Sequence, residues 1–146
     1  MTPVDPVPRV CQVSTLARIS DLHSETLRGR AERAHCGWSI EFLASVQGEE
    51  AGLLSYEDRS DHESAFIYEI FVLPSLRGQG IGGALLSHAE RHAVQLGYQV
   101  VRLKPYALDQ ETDQCRLIAW YTKLGYRQTA SDPEHMEKRL LLRGTS

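Results

Sequence analysis

The stretch Ile67–Gly83, IYEIFVLPSLRGQGIGG, decides the fold of this chain. It begins within Ala65–Leu73, a nearly continuous apolar run that is typical of a strand buried on both faces at the centre of a sheet. Four glycines follow within Gly78–Gly83 and lead into a helix predicted over Gly80–Leu96. Tyr98–Leu103 is strand-like again, so one helix between two strands predicts a parallel βαβ unit.

Hydrophobic patterning predicts the other elements outward from this unit. Upstream we expect an edge strand at Arg9–Val13, a helix over Thr15–Ala34 capped by Ser14 or Thr15 and interrupted at Gly29, a hairpin of Trp38–Val46 and Ala51–Tyr56, and a surface loop at Glu57–Ser64. Downstream we expect a loop at Ala107–Asp113, a helix over Gln114–Leu124, and strands at Tyr126–Ala130 and Met136–Leu142. The order β-α-β-β-β-α-β-α-β-β predicts an α/β (α+β) fold with a mixed central sheet of about six to seven strands flanked by helices.

Length and composition indicate one domain. The chain has 146 residues, of which 42% are apolar and 24% charged, and this is typical of a globular protein with a hydrophobic core. Residues 1–8 are proline-rich and predict a flexible lead-in, with a single domain over residues 9–146. The net charge of −3 does not favour a nucleic-acid partner.

The same composition gives expectations for location and metal content. No apolar run approaches the roughly 20 residues of a membrane helix, so we expect no membrane partner. Three widely spaced cysteines, Cys11, Cys36 and Cys115, predict free thiols in a reducing cytoplasm. His88 and His92 could share a helix face, but no third ligand is evident, so we expect two solvated histidines and no metal.

The glycine-rich turn has the properties of an anion site. Glycine permits positive φ and lets a phosphate approach the backbone, while the first helix amides lack intrahelical acceptors and carry the positive end of the dipole. A diphosphate fits this arrangement, with Arg77 adding positive charge at the rim. The dinucleotide alternative expects an acidic residue where Leu103 and Lys104 stand, and no Walker Gly-Lys-Ser/Thr is present. A turn that uses glycine only for packing remains the plain alternative.

Two motifs resemble the GNAT superfamily of N-acetyltransferases. The segment Val72–Gly82 resembles that family's acetyl-CoA motif, Arg/Gln-x-x-Gly-x-Gly/Ala, and the match continues into Leu85-Leu86. Ile118–Tyr126, IAWYTKLGY, resembles its tyrosine-bearing helix, and Met136–Leu140 resembles its last strand. The resemblance covers Ile67–Leu142 and implies a GNAT-like fold that binds acetyl-CoA as co-substrate.

The resemblance also implies residue roles. It implies that the strand end contacts the pantetheine arm through Ile70, Phe71 and Val72, and that the pyrophosphate is held by Arg77, Gly78, Gln79, Gly80, Ile81, Gly82 and Gly83. It implies that Tyr121 is the general acid that protonates the leaving thiolate. Gln114 stands where many members carry an asparagine that bonds the cofactor arm. Periodicity alone favours Tyr121 as an ordinary core aromatic on the stripe of Leu117 and Leu124, and the family motif reverses this preference.

Acetyl transfer to an amine also needs a group that handles the amine's proton. Glu69 lies within an apolar strand, where burial raises a carboxyl pKa, so it is the candidate base or ammonium anchor. The alternatives are that Glu69 pairs with an arginine or faces solvent. Tyr68 and Tyr106 are candidates for lining the acceptor pocket.

These expectations combine into one functional hypothesis with alternatives. We expect an acetyl-CoA-dependent N-acetyltransferase in which an amine attacks directly within a ternary complex. The acceptor is a small-molecule amine or a protein amine. A non-catalytic acyl-CoA-binding sensor or interaction module, or a different nucleotide-binding protein, would keep the glycine turn without needing Tyr121 or Glu69. The sequence leaves a homodimer open.

Overall fold

A computed structural model describes residues 11–34, 39–59, 64–105, 113–130 and 132–140. Within these residues the strands are β1 (Cys11–Thr15), β2 (Ser39–Val46), β3 (Glu49–Arg59), β4 (Ser64–Val72), β5 (Val100–Leu103), β6 (Arg127–Gln128) and β7 (Met136–Arg139). The α-helices are α1 (Glu25–Ala34), α2 (Ile81–Gln95) and α3 (Gln114–Lys123), with short 3-10 turns at Ile19–Asp21 and Pro74–Leu76. The predicted element order and α/β (α+β) class are confirmed.

The strands form one mixed sheet with β4 at its centre. The order across the sheet is β1-β2-β3-β4-β5-β7-β6. The pair β4 and β5 is parallel and the other neighbours are antiparallel. The predicted βαβ unit of β4, α2 and β5 is therefore confirmed.

The two faces of the sheet carry separate cores. Leu54 and Ile70 belong to the larger core, which α2 covers through Leu85 and Ala89, and we call this side the α2 face. The smaller core lies on the opposite side, where Phe71 and Leu53 of the sheet pack with residues of α1, and we call it the α1 face. Each leucine fully buried in these cores contributes about 1.5–3 kcal/mol.

Close approach of α2 to the sheet depends on Gly52 in β3. A Cβ at this position would lie 3.0 Å from the Phe71 carbonyl oxygen and 3.2 Å from Leu85 Cδ1. Any side chain there would force strand or helix to shift. The glycine thus fixes where α2 begins relative to the end of β4.

The start of the first helix differs from the prediction. Ser14 and Thr15 belong to β1, and α1 begins only at Glu25, where Ser24 Oγ accepts from the Leu27 amide at 3.2 Å. The Glu50 carboxylate of β3 accepts from the amides of His23 and Ser24 at 2.9 and 2.7 Å. This contact between β3 and the residues just before Glu25 sets where α1 begins. Gly29, where the sequence predicted an interruption, lies inside α1.

The predicted loop at Glu57–Ser64 is also wrong in part. Strand β3 continues to Arg59 and β4 already begins at Ser64, with Glu57 opposite Phe66 and Asp58 opposite Ala65. Pairing with the apolar strand β4 outweighs the polar composition of this segment. Residues 60–63 lie outside the described residues.

Smaller differences concern ends and exposure. Strands β5, β6 and β7 are shorter than predicted within the described residues. Leu96, the predicted last residue of its helix, is the C-cap of α2 and is 54% exposed. His88 and His92, expected in solvent, pack edge-on against the buried Phe42 ring at 4.7 and 5.4 Å between centroids.

Several predictions fall on residues outside the described ranges. These concern the lead-in at 1–8, the start of the strand at Arg9–Val13, Cys36, Trp38, Tyr106 with most of the Ala107–Asp113 loop, and the end of Met136–Leu142. Among the described cysteines, Cys11 and Cys115 are free thiols.

Candidate active site

One cleft lies where the end of β4, the start of α2 and the middle of α3 meet. Its volume is about 270 Å³. It is lined by Ile70, Phe71, Val72, Leu76, Arg77, Gly78, Gly80, Ile81, Gly82, Gly83, Leu117, Trp120 and Tyr121. The structure thereby brings together most of the residues singled out in the sequence, although they come from two motifs about 40 positions apart.

A bulge in β4 sets which side chains reach which face. In the register with β3, Tyr56 lies opposite Ile67 and Ser55 lies opposite Glu69, which leaves Tyr68 as the extra residue. Because of this extra residue, Ile67 and Ile70 both join the core on the α2 face. Glu69 shares the α1 face with Phe71, two residues further along the strand.

The end of β4 also runs beyond its parallel neighbour. The register with β5 covers Ser64–Ile67, with Ile67 opposite Leu103, whereas β4 continues to Val72. The last residues of β4 therefore pair with β3 on one side and border the cleft on the other. Beyond Ile67 the register with β5 gives β4 no further partner on this side.

The start of α2 presents backbone amides to this cleft. Gly80 occupies the N-cap with φ 82° and makes no side-chain cap, and the first helical bond runs from the Ala84 amide to its carbonyl at 3.0 Å. The amides of Ile81, Gly82 and Gly83 thus precede the first intrahelical donor. A Cβ at Gly83 would meet nothing within 4 Å, so this side of the turn has room for a phosphate.

Gly82 has a different role from Gly83. A Cβ at Gly82 would stand 3.3 Å from Cζ2 of the Trp120 ring, tighter than ordinary van der Waals contact. The packing alternative considered for the glycine turn therefore applies at this position. One glycine lets α3 approach α2, and its neighbour leaves the cleft open.

Arg77 folds back onto the strand end. Its Nε donates to the Val72 carbonyl oxygen at 3.0 Å, and its guanidinium carbon lies 5.3 Å from the centre of the Phe71 ring. The side chain lines the cleft and carries its charge there. Gln79, in contrast, is exposed and is not among the lining residues.

Tyr121 lies at the inner end of the cleft on α3. It is 6% exposed, with ring centroids 5.0 Å from Trp120 and 5.7 Å from Tyr126. Tyr121 packs in the core and also lines the cleft, and its role as general acid stays a prediction.

A polar cluster behind Tyr121 fixes the end of α3. The Tyr126 hydroxyl donates to Glu90 of α2 at 2.9 Å, and Lys138 of β7 pairs with the same carboxylate at 2.9 Å. Burial and the Glu90 charge raise the pKa of Tyr126 well above its ordinary value. This ring is therefore a neutral anchor that holds α3 against α2.

Gln114 lies at the start of α3, outside the cleft lining. Its Nε2 donates to the Pro105 carbonyl oxygen at 2.8 Å. The helix is capped by Asp113, which accepts from the amides of Cys115 and Arg116 at 2.8 and 3.4 Å. In this structure Gln114 ties α3 to the segment after β5.

Glu69 lies next to the cleft on the α1 face rather than in its lining. Burial raises the pKa of its carboxyl, and the charges of Arg30 and Arg33 on α1 oppose the shift. Tyr68, half-buried, stacks edge-on with Phe66 at 5.1 Å and its hydroxyl donates to Glu57.

Sequence reasoning missed four residues around the site. Leu76, Leu117 and Trp120 line the cleft, and Arg30 lies over the Phe71 ring at 4.9 Å. Spacing of three between Leu117 and Trp120 on one helix face is a signal that could have found that pair. No local pattern places Arg30 beside β4, because that contact depends on how α1 packs.

The family comparison identifies the class of this fold and site. The model of the acetyltransferase (GNAT) family matches residues 12–126. The chain belongs to this family. The predicted family is thus confirmed.

Individual relatives agree with this assignment. An uncharacterized N-acetyltransferase of Methanocaldococcus jannaschii is 30% identical over 92 residues, which are 60% of this chain and 38% of that protein. The chain thus matches less than half the length of this curated relative.

Solved structures share the fold. The ribosomal-protein-S18-alanine N-acetyltransferase of Escherichia coli has a TM-score of 0.68 at 19% identity, over 94% of this chain and 98% of that one. The PaiA N-acetyltransferase of Thermoplasma acidophilum, solved in complex with coenzyme A, has a TM-score of 0.64 at 16% identity, over 89% and 99%.

Two observations concern a membrane and a metal. No helix in the described part of the chain is both long and apolar enough to cross a bilayer. Across the same residues, no three His, Cys, Asp or Glu side chains gather as a metal site would require.

Proposed function

We propose that this protein is an acetyl-CoA-dependent N-acetyltransferase that transfers the acetyl group to a primary amine by direct attack in a ternary complex. The observation that carries the proposal is that Tyr121 and the uncapped start of α2 line the same cleft. The free thiols of Cys11 and Cys115 support a reducing cytoplasm as its location.

The cleft suits acyl-CoA because its parts match the parts of that molecule. The amides of Ile81–Gly83, helped by Arg77, would hold the pyrophosphate. The backbone of Ile70–Val72 at the free side of β4 would bind the pantetheine arm, which carries amides of its own. Leu117 and Trp120 supply the apolar wall opposite.

The reaction forms a bond from the amine nitrogen to the acetyl carbon and breaks the bond from that carbon to sulfur. A backbone N–H near Val72 would polarise the thioester carbonyl. Tyr121, held by Trp120 and Tyr126, would give its proton to the departing thiolate. Holding both reactants in line supplies much of the rate.

The amine must react as the neutral form, and Glu69 would receive its proton directly or through water. The carboxyl lies two residues before Phe71, which lines the cleft. Because burial raises its pKa, Glu69 binds a proton more readily than an exposed glutamate. The half-buried Tyr68, next in sequence, would line the acceptor pocket.

A thiol-release assay over a panel of amines tests the proposal. Varying acetyl-CoA and amine together should give intersecting initial-rate lines, because direct attack needs both bound at once. Parallel lines would instead indicate a covalent acetyl-enzyme. CoA binding without thiol release from any small or peptide amine would favour a non-catalytic acyl-CoA sensor.

A further inference from the structure

Ser55 of β3 carries a buried hydroxyl group on the α1 face. The side chain is 1% exposed, and its Oγ makes no hydrogen bond within the part of the chain that the structure describes. Buried hydroxyl groups in folded proteins nearly always have a partner, so an unsatisfied one marks a place where a water molecule or a ligand binds. Ser55 is therefore a candidate for binding something other than the protein itself.

The register of the sheet places Ser55 beside Glu69. Ser55 lies directly opposite Glu69 of β4 on one side and opposite Glu41 of β2 on the other. Ser55 shares the α1 face with Leu53, as Glu69 does with Phe71, so both side chains point to the same side of the sheet. Opposed side chains on adjacent strands have Cβ atoms about 4.5–5.5 Å apart. The hydroxyl and the carboxylate are thus within reach of one bridging water.

Charged side chains lie around this pair, but none of them bonds to the Ser55 hydroxyl. Glu41 and Arg30 each have further interactions of their own. Arg30 and Arg33 of α1 act electrostatically on the Glu69 carboxyl. The pairing of Ser55 with Glu69 follows from the strand register and needs no free charge beside it.

Glu69 lies back along β4 from the end that borders the cleft. Phe71 lines the cleft, whereas Glu69, two residues earlier, does not. Two residues of a strand span about 6.6 Å, roughly twice the reach of a hydrogen bond. One water molecule between the amine and the carboxylate would close this gap, and such a water needs a further polar partner to hold it in place.

We propose that Ser55 is a positioning residue whose hydroxyl, together with the Glu69 carboxylate, holds the water through which the acceptor amine loses its proton. This inference rests on the proposed function and adds a residue to that same site. As the nitrogen bonds to the acetyl carbon, its proton passes to the water, and a proton of the water passes to Glu69. The departing thiolate takes its proton from Tyr121. The Ser55 hydroxyl keeps its own proton, and Glu69 returns the one it received to solvent after the product leaves.

Ser55→Ala tests this, with Ser64→Ala as the matched control. Ser64 begins β4 and is also buried, but it lies opposite Val100 of β5 rather than beside Glu69. Thiol release is measured across a pH series with an acceptor amine of low pKa. Ser55→Ala should lower kcat about tenfold, because the water is no longer held in line, with CoA affinity unchanged. It should also move the acid limb of kcat/KM to higher pH, because the charged form of Glu69 loses a hydrogen-bonded neighbour.

Ser64→Ala should keep the wild-type limb, and Ser55→Thr, which retains a hydroxyl, should restore most of the difference. A double-mutant cycle then separates positioning from structure. If Ser55 acts through Glu69, adding Ser55→Ala to Glu69→Gln should cause no further loss of kcat/KM. Were Ser55→Ala to unfold, Ser55→Cys, a variant of similar shape with a weaker donor, gives the same comparison.

Additive losses in the double variant would overturn the inference and leave the proposed function standing. A wild-type kcat and pH profile in Ser55→Ala would do the same. No turnover of any amine by the wild-type protein would remove both the inference and the proposed function.

Discussion

The two sides of the end of β4 offer recognition groups of different kinds. On the cleft side the groups are mostly backbone amides, from the strand end and from the first turn of α2. On the α1 face they are side chains, Glu69 from the sheet and two arginines from a helix distant in sequence. The amides of the first side come from one continuous segment, residues 70–83, to which α3 adds side chains, whereas the side chains of the second side come together only after α1 has packed on the sheet.

The two kinds of groups differ in how readily they can be recognised in the sequence. A cradle of amides needs glycines at fixed spacing, so it leaves a readable motif. A cluster of side chains needs only suitable residues that the fold brings together. It therefore leaves no recognisable motif in the sequence. Substitutions on the two sides should therefore affect different kinetic constants.

Loss of the Tyr121 hydroxyl should have the largest effect. Tyr121→Phe removes the proposed general acid while keeping the ring packing, so kcat should fall about 10²-fold or more with CoA affinity unchanged. Steady-state kinetics and calorimetric titration of CoA measure the two quantities. Tyr126→Phe is the control, because it removes the neighbouring hydroxyl, which bonds Glu90, and should lower stability rather than kcat. Full activity in Tyr121→Phe would eliminate the assigned role.

Glu69→Gln should have the second largest effect. We expect kcat/KM to fall at least about tenfold and its pH profile to change. A base acts only when deprotonated, and burial raises the Glu69 pKa above its ordinary 4.5. Wild-type kcat/KM should therefore fall as pH drops through a value above 4.5, and that limb should vanish in Glu69→Gln. An acceptor amine of low pKa keeps its own protonation from masking the limb. Glu32→Gln, which changes an exposed residue of α1, is the control and should keep the wild-type pH profile. A wild-type pH profile in Glu69→Gln would mean that Glu69 is only structural.

Gly83→Ala should weaken CoA binding about tenfold while leaving the fold intact or more stable. Alanine in a helix is favoured over glycine by about 0.5–1 kcal/mol, and its Cβ would meet no protein atom within 4 Å but would enter the phosphate space. Gly29→Ala in α1 is the matched control, with the same gain in thermal stability and no change in CoA affinity. Equal CoA affinity in both variants would argue against the cradle at α2.

Substitutions at the two helix caps should have the smallest effects. They should also distinguish the cleft side of β4 from the α1 face. Asp113→Ala at α3 and Ser24→Ala at α1 should each lower the free energy of unfolding by about 1 kcal/mol. Only Ser24→Ala should raise the acceptor KM, because α1 packs on the face of the sheet that carries Glu69. Denaturant unfolding and kinetics measure both, and a shared change in KM would mean that the two sides are not independent.

The fold could be predicted largely from sequence because its main signals are local. The apolar run of β4, the glycines before α2 and the pattern of α3 each define an element within a short window. The start of α1 could not be predicted, because Glu50 on a distant hairpin sets it through His23 and Ser24. Likewise, Glu57 is in a strand because β4 lies beside it, not because of its own neighbours.

The site divides in the same way. Spacing and family resemblance identified Gly80 and Tyr121 as candidate site residues. In the structure both line one cleft. Arg30 and Arg33 gave no local signal, since arginines on a helix surface are ordinary. For Glu69, the sequence suggested burial or an arginine partner without naming one, and the structure identifies Arg30 and Arg33 as the charges that act on its carboxyl.

The extra residue at Tyr68 has a consequence for how this strand should be aligned with relatives. Alternation along β4 changes phase at the bulge, so no single odd-even count assigns the faces of both Ile67 and Phe71. An alignment that slides one residue across this point would move Glu69 from the α1 face to the opposite one without altering the apolar composition. Insertions and deletions in β4 are therefore to be scored by which face each side chain keeps, rather than by hydrophobic similarity.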